Sequence, residues 1–499
     1  MADPDLIARL YPVATNSLAK STFQLNQTRV RPGRSSFDSP SRSEGGGSAL
    51  GLGDRESTQA PEDVDPDDYL DCLELRFSNG PRTSRGFVFG RDEKCDIVLA
   101  SQTRNASSHH FAITFENGFE DTDKCRLVLR DLNSTFGTAV QYAGRGGESR
   151  RGFRWILSDH AGVDDSDVVV QASLLLQFRI VVHIKEISHS LVRSVEHFLR
   201  ERPAESLLAD LGFRILPRTE APTGAHTPKS GPILLSMGEL GRGAFGVATR
   251  WWDVSTGREF ARKRPLLQLC EEDRRAWREE AKLLRKLSHE HIVKIFGVVE
   301  TPHPVFGNAA PDVELHLECI LGGTLDQRLP LKYVDCLDVT CQGLSALAYL
   351  HGHDPPIVHR DIKPQNILIK DGPRGICIKL ADFGLSREDR SLTTICGTRL
   401  YFAPEIAEEE LWRMNGGISR SYSPAVDIWS LGVVILECVS GLPTFNAYTY
   451  QWCRDIIGYT MLATWQPDAH ELYDFLLSRM LVLDPEARGS AQQCHDQVI

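Results

Sequence analysis

The sequence predicts a multidomain chain: an all-β sandwich followed by an α+β domain. Two observations carry this. Between residues 69 and 185, short apolar or alternating runs recur between turns: Cys72 to Phe77, Gly86 to Phe89, Asp96 to Leu99, Phe111 to Phe115, Cys125 to Leu129, Val168 to Val170 and Leu174 to Ile184. A strand turns alternate side chains to opposite faces, so closely spaced runs of this kind suit an antiparallel sandwich. From 233 to 499, β-branched and aromatic runs come first and helical periodicity later, which is the order of an α+β domain.

The remaining segments connect or precede these domains. Residues 1–68 are predicted to be a disordered tail. Arg29 to Asp68 is rich in Ser, Gly, Pro and acids, including Gly45-Gly46-Gly47 and Glu62-Asp63-Val64-Asp65, and has too few apolar residues for a core. Residues 186–232 are predicted to be a helix and a linker. Ile187, Leu191, Val192, Val195, Phe198 and Leu199 fall on one helical stripe, whose simplest role is to pack on a neighbouring domain. Pro217 to Pro232 is a linker rich in Pro, Gly and Thr.

Composition narrows the function classes. A charged fraction of 25% beside 41% apolar residues is that of an ordinary globular protein. The net charge of −11 argues against nucleic acid as a direct partner. No stretch reaches the roughly 18 apolar residues of a membrane span. Met1 to Leu10 carries Asp3 and Asp5 and lacks the apolar core of a secretory signal. The 12 Cys are scattered without CxxC pairs, which disfavours zinc and a disulfide scaffold. A soluble protein of the cell interior, in nucleus or cytoplasm, is expected.

The second domain carries the chemistry. His359-Arg360-Asp361-Ile362-Lys363-Pro364-Gln365-Asn366, followed by Asp382-Phe383-Gly384, places a candidate base, a cation and two oxygen ligands for a metal close together. Phosphoryl transfer from ATP needs a group to take or orient the hydroxyl proton, and oxygens to hold Mg²⁺ on the phosphates. Upstream, Gly241, Gly243 and Gly246 form a glycine loop followed by Val247 to Trp252, which reads as a strand. A strand-loop-strand flap lets backbone approach phosphates, whereas a dinucleotide loop would open a helix. Lys263 ends the next strand, and the following helix offers Glu280 as its ion-pair partner. Glu279 is the alternative; Leu284, one turn after Glu280, favours the latter.

Together these motifs resemble the eukaryotic protein kinases. The resemblance implies a bilobal kinase fold with ATP and Mg²⁺ as cofactors and proteins as substrates. Asp361 would be the catalytic base, Lys363 would steady the γ-phosphate, and Asn366 and Asp382 would bind Mg²⁺. Gly241, Gly243, Gly246, Ala248, Ala261, Lys263, Glu280, Leu317, Glu318 and Ile320 would form the ATP site, with Leu317 at its gate. Lys363 and Thr398 place the chain beside serine/threonine kinases. Asp427, Glu405 and Arg488 would be structural. Arg360 and Arg387 would converge on an activation-loop phosphothreonine, at Thr394 by spacing or at Thr393. Ala248, Gln365 and Arg399 stand where members commonly carry Val, Glu and Pro.

In the sandwich, Gly90-Arg91, Ser107-Ser108-His109-His110-Phe111 and Asp131-Leu132-Asn133-Ser134-Thr135-Phe136-Gly137-Thr138 resemble the forkhead-associated (FHA) domains. That resemblance implies a phosphothreonine reader with Arg91 and Ser107 on the phosphate and His110 bracing the loop. Phe136 occupies the place of an Asn that holds the peptide backbone in the family, so a purely structural sandwich is the alternative. The domain order is similar to that of FHA-containing checkpoint kinases of the DNA-damage response, which implies phosphothreonine-containing partners and self-association for trans-phosphorylation. The competing hypothesis is a phosphopeptide-binding scaffold with an inactive kinase domain; retention of Lys263, Glu280, Asp361, Asn366 and Asp382 weighs against it.

Overall fold

The computed structural model describes residues 3–13, 17–33, 67, 70–103, 105–116, 125–158, 168–173, 175–184, 193–196, 198, 231–243, 246–266, 271–301, 312–372, 375–385, 387–388, 398–414, 423–445, 450–464 and 469–498. They fall into two compact units, residues 1–237 with 252–259, and residues 238–251 with 260–499.

The first unit is a β-sandwich. Its strands are β1 (Leu6–Pro12), β2 (Val30–Arg31), β3 (Cys72–Arg76), β4 (Phe87–Gly90), β5 (Ile97–Val98), β6 (Phe111–Glu116), β7 (Arg126–Asp131), β8 (Ala139–Tyr142), β9 (Arg145–Gly146), β10 (Arg154–Ile156), β11 (Val168–Ser173) and β12 (Leu176–Val182). One sheet has seven strands in the order β2-β3-β1-β12-β11-β8-β9, and the other has five in the order β10-β7-β6-β4-β5. β12 shows the two-residue period plainly: Leu176, Phe178, Ile180 and Val182 are buried, while Gln177, Arg179 and Val181 are half-buried. Inward residues of both sheets share one core, including Phe89, Phe111, Leu129, Trp155 and Ile180.

Two expectations about boundaries need correction. The tail predicted to be disordered over 1–68 contributes β1, which lies in the middle of the larger sheet and pairs Leu10 with Ile180 of β12 and Leu73 of β3. It also contributes α1 (Ser17–Leu25), whose Phe23 stacks on Phe178 at 6.4 Å. Ile7, Ala8 and Leu10 are fully buried. The cause is non-local: β1 finds its partners far along the chain, so its own window carries too little periodicity to reveal it. Residues 34–66 of that segment lie outside the described residues. The sandwich boundary also shifts, because Ile233, Leu235, Trp252 and Val254 belong to its core. Trp252 meets Tyr142 edge-on at 5.1 Å, and Ile156 N–H donates to the Val254 carbonyl at 2.9 Å.

Of the helix expected over 187–199, residues 193–196 and 198 are described. Val195 is buried, and Phe198 meets Phe77, Phe87 and Phe115 at 6.2, 5.8 and 5.3 Å, so this stripe covers the sandwich.

The second unit is α+β and has two lobes. In the first, β13 (Leu234–Arg242), β14 (Gly246–Asp253), β15 (Glu259–Pro265), β16 (Ile295–Thr301) and β17 (Asp312–Glu318) form a sheet in the order β13-β14-β15-β17-β16, with α2 (Glu271–Leu284) as its helix. In the second lie α3 (Tyr333–His351), β18 (Ile357–Val358), β19 (Ile367–Gly372), β20 (Gly375–Leu380), β21 (Arg387–Glu388), α4 (Pro404–Met414), α5 (Ala425–Ser440), α6 (Tyr450–Ala463), α7 (His470–Phe475) and α8 (Ala491–Val498). Val426 to Leu436 of α5 are buried at all but one position, as befits a helix apolar on every face at the centre of a lobe.

Candidate active site and phosphate-reading loops

The loop between β18 and β19 is held from below by α5. Asp427, fully buried on α5, accepts the Arg360 N–H on Oδ1 and the His359 N–H on Oδ2, each at 2.8 Å. His351 Nε2 lies 3.0 Å from the same Oδ2. Burial pushes the Asp427 carboxyl up, but the bond from His351 and the loop N–H groups outweigh it and hold it below the usual carboxylate range. This anchor sustains a strained backbone, with Arg360 at φ 72.

That loop presents Asp361, and three groups orient its carboxylate. Thr398 Oγ1 donates to Oδ1 at 2.9 Å, and Lys363 Nζ lies 2.8 Å from Oδ2. Lys363 also donates to Thr398 Oγ1 at 2.8 Å. Asn366 Nδ2 donates to Asp361 Oδ2 and to its backbone carbonyl, both at 2.9 Å. A carboxylate so fixed loses little freedom when a hydroxyl approaches.

The opposite wall brings Lys263, Glu280 and Asp382 together. Lys263 Nζ stands 2.8 Å from Glu280 Oε1 and 3.0 Å from Asp382 Oδ1. Glu279 instead pairs with Lys282 at 2.9 Å on the exposed side of α2. Burial alone would lower the Lys263 pKa, but Glu280 and Asp382 outweigh it and hold the ammonium above the usual lysine value. Lys263 in turn keeps Asp382 ionised below the usual range. Asp382 has φ 62, and a Cβ at Gly384 would stand 3.4 Å from both Asp382 Oδ1 and Glu280 Oε2, at ordinary contact distance.

β13 and β14 flank the glycine loop, in which Gly243 N–H donates to the Gly246 carbonyl at 2.9 Å. Ala244 and Phe245 lie outside the described residues. Ala261 on β15 is buried and opposite Leu317 on β17. Ala248 is half-buried on β14, and Leu317 and Ile320 are buried at the passage from β17 to the second lobe. The Glu318 side chain pairs with Lys379 at 2.7 Å, and its N–H donates to the Lys294 carbonyl at 2.7 Å. Thr393 and Thr394 lie outside the described residues; Arg387 is placed by its backbone, in β21 opposite Val358.

The sandwich gathers its own polar loops. Arg91 follows β4, and its N–H donates to the Ser107 carbonyl at 3.1 Å. Ser107 Oγ accepts the Thr135 N–H at 2.9 Å and lies 3.2 Å from Thr135 Oγ1. His110 is fully buried, accepts the Ser107 N–H on Nδ1 at 3.0 Å, and has its pKa lowered chiefly by burial, so it is a neutral brace. Asp131 folds the neighbouring loop by accepting from Ser134 N–H and Oγ at 3.0 and 2.6 Å, Thr138 Oγ1 at 2.7 Å and Gly152 N–H at 2.8 Å. Thr135 and Asp131 escaped the sequence reading of the site, although a Ser/Thr/Asn-rich turn opened by Asp was the available signal. Phe136 is 59% exposed beside Thr135. Asn133, at φ 58, places its Oδ1 within 2.6 Å of where a Cβ on Gly152 would sit.

The sequence profile of the protein kinase domain matches residues 235–498, and that of the FHA domain matches residues 87–148. The chain belongs to the protein kinase family. Among curated proteins it is similar to the ovarian-specific serine/threonine-protein kinase Lok of Drosophila melanogaster, 33% identical over 276 residues that cover 50% of this chain and 53% of Lok. It is also similar to calcium/calmodulin-dependent protein kinase type IV of Mus musculus, 32% identical over 276 residues, 53% of this chain and 54% of that one. The chain thus spans about half the length of these relatives. Among solved structures, that of Rad53 1–466 in complex with AMP-PNP matches with a TM-score of 0.51 at 24% identity, over 86% of this chain and 96% of that one, a likeness of fold.

Proposed function

We propose that this chain is an ATP-dependent serine/threonine protein kinase whose sandwich reads phosphothreonine. The carrying observation is the pair of facing clusters: Lys263 between Glu280 and Asp382, and Asp361 among Lys363, Thr398 and Asn366. The second orients a hydroxyl and accepts or steers its proton; the first sets a fixed ammonium where polyphosphate charge needs one. Asn366 and Asp382 suit Mg²⁺. Asn366 spends its N–H groups on Asp361, so oxygen is its remaining ligand atom, and Asp382 stays ionised. Mg²⁺ would supply charge neutralisation on the β- and γ-phosphates.

Regulation and partners belong to the same reading. Phosphorylation at Thr394 would draw Arg360 and Arg387 together and order the segment before Thr398. Thr394→Ala with Thr393 intact is expected to hold protein-substrate phosphorylation at the level of the unphosphorylated enzyme. Full activity from that variant, with phosphate mapped to Thr393, would move the site there. Arg91 and Ser107 would take phosphothreonine in partner proteins or in a second copy, raising the local concentration for trans-phosphorylation. Arg91→Ala is expected to weaken binding of phosphothreonine peptides by at least about tenfold, since charge-assisted bonds contribute about 1.5–3 kcal/mol. Equal capture by wild type and variant would make the sandwich structural. Among the described residues no helix is long and apolar enough to cross a membrane. A nuclear or cytoplasmic setting, and a part in DNA-damage signalling, fit the order of FHA and kinase domains.

A further inference from the structure

Trp277 is an aromatic side chain that the ATP site, as assigned above, does not use. It lies on α2 one turn before Glu280, in a helix whose sequence is mostly charged. It is 4% exposed. Its Nε1–H donates to the Val313 carbonyl of β17 at 2.7 Å. The Lys263 ammonium sits 4.9 Å from its ring centroid. Its far edge abuts the last glycine of the glycine loop: a Cβ on Gly246 would lie 2.6 Å from Cη2 and 2.9 Å from Cζ3. One indole therefore touches β14, β15 and β17, the strands that α2 must stay registered against if Glu280 is to meet Lys263.

Volume alone does not account for this arrangement. An apolar side chain of similar size would fill the space, but it would donate nothing to Val313 and would present no π face to the ammonium. Both polar features act on the relation between helix and sheet. The other buried apolar residues described on α2, Ala281, Leu283 and Leu284, lie C-terminal to Glu280. Among the described residues, Trp277 is thus the buried anchor of the half of α2 that precedes Glu280.

We propose that Trp277 is a positioning residue that holds α2 in the register pairing Glu280 with Lys263, through its N–H bond to Val313 and its ring under the ammonium. It acts on nucleotide through that ion pair, and Gly246 is glycine in part because the indole occupies the space a side chain would need. This rests on the nucleotide-binding part of the function proposed above.

A double-mutant cycle on the full chain tests it, read as the affinity for a fluorescent ATP analogue with Mg²⁺ present. Trp277→Leu is expected to weaken binding about tenfold, and Trp277→Phe, which keeps the ring and loses the donor, by less. Glu280→Gln is expected to weaken binding in the wild-type background, to add little in Trp277→Leu, where the pair it breaks is already lost, and to add less than its wild-type effect in Trp277→Phe, where the pair is loosened. Losses that multiply independently, or Trp277 variants that leave affinity unchanged, overturn the proposal. If Trp277→Leu does not fold, the same cycle with Trp277→Phe decides. Phosphate transfer is measured separately. Absence of transfer in wild type would count against the kinase function while the affinity cycle still decides the role of Trp277.

Discussion

Asp361→Asn is expected to lower phosphoryl transfer by about 10²–10⁴-fold, the usual contribution of a positioned acid–base group. Nucleotide affinity should change little, because Asp361 lies among Lys363, Thr398 and Asn366 and away from the Lys263–Glu280 pair. The substitution keeps the shape and removes the charge. Thr398 and Asn366 donate to different oxygens of Asp361, so the single amide oxygen can keep only one of those bonds, while Lys363 loses its anion and a substrate hydroxyl would lose its proton acceptor. Single-turnover transfer to a peptide at saturating ATP checks this. A variant within about threefold of wild type would mean that Asp361 does not act on the hydroxyl.

The second large effect falls on stability. Arg488 is fully buried at its side chain and grips Glu405 through two bonds, Nη1 to Oε1 at 2.7 Å and Nη2 to Oε2 at 3.0 Å. It also donates to the Ala425 and Val482 carbonyls and lies 5.4 Å from the Trp429 ring centroid. Arg488→Leu leaves a largely buried carboxylate without its cation, at a cost of about 3–5 kcal/mol. Unfolding followed by circular dichroism should show a midpoint lower by roughly 10 °C. Glu405→Leu with Arg488→Leu should recover part of that loss, since the charge left behind is then removed as well. A single variant as stable as wild type would show that the pair contributes nothing net.

Much of the kinase site was legible because its parts lie in short, ordered motifs whose chemistry depends on residue type. Lys363 and Asn366 follow Asp361 within one loop, so their meeting with it needs only a local turn. The choice of Glu280 over Glu279 followed from helical period alone, and the structure puts Glu280 on Lys263 and Glu279 on Lys282. Other features were invisible for a physical reason: they are contacts between distant segments. β1 gains its identity from β12, more than a hundred residues away, and its own seven residues give no such hint. Trp252 ends a run that reads as a strand of the second domain and Val254 falls within that domain's expected bounds, yet both are buried in the sandwich core. Trp277 reads as one aromatic in a charged helix; only the fold places Lys263 over its face and Gly246 against its edge. In the sandwich loops, the bond from Thr135 to Ser107 required two segments distant in sequence to be brought side by side.

The most direct test of the central claim is incorporation of γ-labelled phosphate into a generic basic protein by the purified full chain, beside Asp382→Asn, before and after incubation with an activating kinase. Label transferred by wild type and lost in the variant is the predicted result, with phosphoserine and phosphothreonine as products. No label from wild type under either condition would contradict it, and the chain would then be a phosphopeptide-binding scaffold built on an inactive kinase fold.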